Sequence, residues 1–232
     1  MVSEQRLGRT AGALYVVTII TGLFSLGYVP AQLSGHGDIH VTLARMAAAP
    51  GLFRWGLASF VIEQVAFLLL PLVLFQLLRA AGQRAAVVMV VLAVTGVPLA
   101  LIALAHRLDL LPLIDAQAGG NPLPQADQLA QQALDAYTHA LLMASLFWGL
   151  WLMPLGYLAH ASRALPRILG FLLTLGGASY VADVFCTLLA PHYGDTALSD
   201  YMTTPAAIGE IGTGLWLLLV GVRRPVRQAA VA

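Results

Sequence analysis

The sequence predicts an all-α integral membrane protein, a bundle of six transmembrane helices. The first observation is composition: 59% of the 232 residues are hydrophobic and only 10% are charged, whereas a soluble domain carries about 25% charged residues. So few charges cannot solvate the surface of a water-soluble globule. The second is spacing, because apolar runs of roughly 20 residues, enough to cross about 30 Å of hydrocarbon, recur six times and take up most of the chain. The third is the placement of arginine, which gives those runs an orientation.

In order, the runs cover 11–29, 56–78, 85–105, 137–158, 168–190 and 206–222, all within one domain, 1–232. A segment in hydrocarbon must satisfy its own backbone hydrogen bonds, so each run is expected to be a helix. The first run exceeds the apolar core of a signal peptide, about 7–15 residues, and no clean cleavage site follows; it is expected to be retained. Beyond it, Asp38 is placed to cap a short interfacial helix with Ile39, Leu43 and Met46 on one face, suited to lying along the membrane surface. Pro71, Pro98 and Pro154 fall inside runs two, three and four and predict kinks. Residues 115–132, with Gly-Gly, Asn-Pro and several glutamines, predict a loop leading into a helix continuous with the fourth run. Gly176 and Gly177 predict close packing or a bend in the fifth. Cys186, the single cysteine, reads as a small buried hydrophobe and excludes an intrachain disulfide. The tail after Val222 is expected to be disordered.

All twelve basic residues are arginines, the formal net charge is +1, and no basic stretch resembles a nucleic-acid surface. With an even number of spans both termini share one side. That side holds Arg6, Arg9, Arg79, Arg84, Arg163, Arg167, Arg223, Arg224 and Arg227; the other holds Arg45, Arg54 and Arg107. The bias predicts cytoplasmic termini.

Charges at membrane depth are costly and often mark function. Glu63, Asp183 and Glu210 lie on the second, fifth and sixth runs, at offsets that place them roughly 8–13 Å below the outer boundary. If their helices face a common centre, the three converge. Gln64, His139, Trp148, Trp151 and Tyr180 can line the same interior, and Asp135 and His139, spaced i,i+4, share a helix face. A carboxyl in a low-dielectric site can keep its proton, share it or bind a cation. The plainer reading stays open for each: a carboxylate bonded to a neighbouring helix or paired with Arg107, Asp135 as a helix cap, His106 and His192 as interfacial residues, and tryptophans and tyrosines as belt or packing residues. His36 and His40 have i,i+4 spacing but lack a clear third ligand, so no metal is expected. No His-Glu-x-x-His, Gly-x-Ser-x-Gly or phosphate-binding glycine loop occurs.

The stretch Gly51-Leu52-Phe53-Arg54-Trp55-Gly56-Leu57-Ala58-Ser59 resembles the DUF4386 family of bacterial membrane proteins. The likeness extends to Arg9-Thr10-Ala11-Gly12-Ala13-Leu14-Tyr15, Leu155-Gly156-Tyr157-Leu158 and Leu165-Pro166-Arg167-Ile168-Leu169-Gly170. It continues through Tyr180 and Asp183 to Ile208-Gly209-Glu210, Leu215-Trp216-Leu217-Leu218 and Gly221-Val222. The resemblance covers nearly the whole chain and implies a compact polytopic membrane protein with Asp183 and Glu210 at family-like positions. It implies no particular activity.

Three functional classes follow. The first is an enzyme or binder for an apolar, lipid-like or isoprenoid ligand, with Glu63, Asp183 and Glu210 as acids or charge stabilisers and no cofactor; a water-poor pocket with aromatic faces suits carbocation chemistry. The second is a proton- or cation-coupled transporter, and the third a non-enzymatic membrane subunit. Membrane lipid and a hydrophobic small molecule are the expected partners, nucleic acid is not, and a homo-oligomer is compatible with the sequence.

Overall fold

The computed structural model describes residues 4–223. Arg224, Arg227 and the rest of the C-terminal tail lie outside the described residues. Among those described, every regular element is helical. The order is α1 (Glu4–Gly22), a π-helical segment (Leu23–Tyr28), α2 (Val29–Leu33), α3 (Ile39–Ala48), α4 (Pro50–Leu78), α5 (Gln83–Leu108) and α6 (Leu111–Ala118). There follow α7 (Ala126–Ser162), α8 (Arg167–Leu189), a 3-10 turn (Tyr193–Asp195), α9 (Ala197–Tyr201) and α10 (Thr204–Leu219).

Five helical stretches have the length and apolar composition to cross a membrane: Glu4–Leu33, Pro50–Leu78, Gln83–Ala118, Ala126–Ser162 and Arg167–Leu189. The sixth apolar run forms α10, whose 16 residues extend about 24 Å at 1.5 Å per residue. The helices α4, α5 and α7 extend beyond the second, third and fourth runs, because a helix ends at a cap rather than at the hydrocarbon edge. The fourth run sits inside the 37-residue α7, and Asp115, assigned to a loop from sequence, belongs to α6, which stops at Gly119. Pro71, Pro98 and Pro154 all lie inside continuous helices.

The chain clusters into two compact units. One takes residues 4–16, 68–95 and 145–223 of those described, the other 17–67 and 96–144; α1, α4, α5 and α7 contribute to both.

In the first unit, glycines let helix backbones touch. A methyl group at Gly12 of α1 would stand 2.2 Å from the Leu218 backbone nitrogen of α10, and one at Gly176 of α8 would stand 2.4 Å from the Ala206 Cα. At Gly177 it would meet the Gly149 carbonyl oxygen at 2.6 Å. Gly176 and Gly177 are thus packing residues, as their place in an apolar run suggested, in the manner of small residues between membrane helices. The Gln5 amide closes the unit by donating to the Val222 carbonyl at 2.7 Å and accepting from its N–H at 3.2 Å. Gly221, at φ +82°, supplies the left-handed turn after α10 that brings Val222 there.

In the second unit, Asp38 caps α3 by accepting from the Val41 N–H at 3.1 Å. Leu43 and Met46 are buried on the face of α3 that packs on α2 and α6, so its apolar stripe is covered by protein. Arg54 of α4 reaches both Asp115 oxygens of α6 at 2.8 Å. His40 stands 3.2 Å from Asp127 of α7.

Candidate functional site

The π-helical segment follows from Pro30. A proline ring clashes with the carbonyl four residues back and offers no N–H. The local register therefore widens, and the Val29 N–H bonds to the Phe24 carbonyl, five residues earlier. The acceptor stranded by that shift is Ser25: Val29 has bonded elsewhere, and Pro30 has nothing to donate. Its carbonyl accepts instead from Arg107 Nη1 at 3.4 Å, while its hydroxyl donates to Glu63 Oε2 at 3.1 Å. Ser25 is fully buried, and Glu63 is 7% exposed. Gly22 keeps room for that carboxylate, since a methyl group there would lie 3.2 Å from Glu63 Oε1.

Arg107, near the end of α5, stacks with its Cζ 4.1 Å from the Tyr137 ring centroid. Its Nε is buried and has no hydrogen-bond partner. Arg107 and Tyr137 line a cavity of about 350 Å³. Val29, Leu33, Met46 and Phe53 make its walls apolar, and Gln131, Asp135 and Thr138 of α7 add polar groups. The cavity therefore pairs an apolar wall with one cationic group whose donors are largely unused.

Among the residues singled out from sequence, Glu63 and Gln64 belong to this second unit, with Gln64 2% exposed and its Oε1 without a partner. His139 is exposed on α7, and Asp135 accepts from Gln131 at 2.8 Å. Asp183, Glu210, Trp148, Trp151 and Tyr180 belong to the first unit. There the buried Tyr15 donates to Glu210 Oε1 at 3.2 Å and lies 6.1 Å, ring to ring, from the fully buried Trp151. Tyr180 backs against Gly149, where a methyl group would stand 2.5 Å from its Cβ, and Trp148 is half-buried. Among the described residues no group of three or more His, Cys, Asp or Glu side chains is placed to hold a metal.

Asp183 accepts from Tyr193 at 2.6 Å, tying the 3-10 turn to the end of α8. Burial, this hydrogen bond and the Asp183 charge raise the Tyr193 phenol above its ordinary range. A raised folded-state value means that this stabilisation is complete below the unfolded phenol's pKa, about 10, and is lost as pH rises beyond it. Tyr193→Phe is accordingly expected to cost about 1.5–3 kcal/mol and to speed proteolysis within residues 190–203. Unchanged cleavage kinetics would contradict this anchoring role.

Sequence reasoning missed Ser25, Tyr15, Tyr137 and Tyr193. For Ser25 a signal was present: a serine five residues before an in-helix proline is where a π register strands a carbonyl. The tyrosines carried no local signal, since tyrosine near a membrane boundary ordinarily reads as a belt residue.

Helices of membrane-crossing length, with an arginine-bearing cavity set among apolar side chains, define a polytopic α-helical membrane protein. The chain belongs to the DUF4386 family, described as a domain of unknown function, whose family model matches residues 10–221. Comparison with curated proteins and with solved structures gives no match.

Proposed function

We propose that this protein is a six-span inner-membrane protein with both termini cytoplasmic, and that it binds an apolar, lipid-like ligand in the cavity of its second unit. The observation that carries this reading is the cavity itself, about 350 Å³, in which the apolar Val29, Leu33, Met46 and Phe53 stand beside polar groups that include Thr42, Arg107 and Gln131. That size and that mixture suit a small-molecule site. The rim comes from α3 and the start of α7, which the arginine bias assigns to the outer side, so the ligand enters from there.

The test uses purified protein in lipid nanodiscs and three probes of equal chain length: hexadecanoic acid, hexadecanol and hexadecylamine. At least one is expected to bind saturably. Thr138→Trp, an exposed position on the cavity lining, should fill the site and weaken that binding about tenfold or more. Saturable binding that survives Thr138→Trp would place the ligand elsewhere. Failure of all three probes would sink the reading.

A further inference from the structure

We infer that the ligand carries a compact anionic head, a carboxylate or a phosphate, and that Arg107 receives it. This deepens the ligand-binding reading and rests on it. A guanidinium presents five N–H donors in a planar fork matched to two acceptor oxygens. Among the described residues Arg107 has one hydrogen-bond acceptor, the Ser25 carbonyl at 3.4 Å, and its Nε is buried without any. Buried donors left unsatisfied are rare, because each forfeits its hydration. The buried Nε is closed to the cavity, but Arg107 lines that cavity with its remaining donors, and a bound oxyanion would supply them with acceptors.

The surroundings hold the guanidinium ready rather than neutralise it. The Tyr137 ring, 4.1 Å from Cζ, sets the plane of the fork. Ser25 takes one donor through the carbonyl that the π register released, and with its hydroxyl holds Glu63. Glu63 is thus held at the hydroxyl of the same serine and is not among the residues lining the cavity. Asp135 does line it, but its carboxylate accepts from Gln131, and among the described residues no ion pair joins it to Arg107. The exposed Asp135 carboxylate on the same cavity repels an anion in proportion to its charge, so of the two heads the singly charged carboxylate is favoured over a phosphate monoester.

The three-probe assay, extended with hexadecyl phosphate, decides the matter. Hexadecanoic acid is expected to bind about tenfold or more tightly than hexadecanol or hexadecylamine, as charge-assisted hydrogen bonds allow. Comparison of the acid with the phosphate distinguishes the two heads. Arg107→Gln should abolish the preference for the acid over the alcohol. Asp135→Asn, which leaves Arg107 in place, should tighten binding of the acid a few-fold relative to the alcohol. Equal binding of acid and alcohol by the unaltered protein would overturn the inference while the ligand-binding reading stands. So would preference for the amine, or acid binding that Asp135→Asn does not change. If no probe binds, the reading falls and the inference with it.

Discussion

Gly12→Ala is expected to destabilise the protein by about 2–3 kcal/mol, at the upper end of the cost of overpacking. The added methyl would stand 2.2 Å from the Leu218 backbone nitrogen and 2.6 Å from the Leu217 carbonyl carbon. Both are main-chain atoms of a helix, so no rotamer change relieves the clash and α1 must move away from α10. Close approach is what lets dispersion forces hold membrane helices together when lipid offers an equally apolar alternative. The Gln5–Val222 pair of hydrogen bonds, made by the same two chain segments, should weaken with it. The measurement is the thermal midpoint of detergent-solubilised protein, read by loss of the monodisperse peak. Gly51→Ala is the control: nothing lies within 4 Å of a methyl group there, and α4 should gain slightly from alanine's better helix propensity. An unshifted midpoint in Gly12→Ala would refute the tight α1–α10 contact.

Glu63→Leu is expected to cost about 1–3 kcal/mol, the penalty of leaving a buried hydroxyl without its acceptor. The change strips the Ser25 hydroxyl of its acceptor. Arg107 is bound to the carbonyl of that same serine, so a shift of Ser25 disturbs the guanidinium's contact as well. Glu63→Gln keeps an acceptor for Ser25 and should cost less. The informative comparison is with the double variant Glu63→Leu/Arg107→Leu, which removes both charges and should recover part of the loss. Additive single-variant effects would show that the two residues are uncoupled.

The elements that were legible in sequence are those whose cause is local. Asp38 caps α3 because a short acceptor placed before an amphipathic turn satisfies a free N–H, and that pattern lies within four residues. Gly176 and Gly177 were recognisable as packing residues because glycine in an apolar helix has little other use. The extents of α6 and α7 were less legible. Hydropathy marks where hydrocarbon would lie, whereas these helices continue until Gly119 and Ser162. Of the site, sequence singled out Glu63 at membrane depth with Gln64 beside it, and gave Arg107 only as an outer-side arginine with which a carboxylate can pair. For Ser25 it held only the spacing to Pro30. That spacing marks a stranded carbonyl but not the arginine and carboxylate that meet it, which lie 82 and 38 positions away.

The buried polar layer divides along the same line. Sequence by itself determined an all-α chain with helices long and apolar enough for a membrane, and carboxylates within them, because composition and period are properties of the chain alone. Tertiary structure decided what each polar group meets: Ser25 for Glu63, Tyr193 for Asp183, Tyr15 for Glu210, and for Arg107 an aromatic face, one carbonyl and an open cavity. The carboxylates' partners come from residues 10 to 195 positions away. Which helix faces meet depends on the packing of whole elements, and no local pattern in the chain records it.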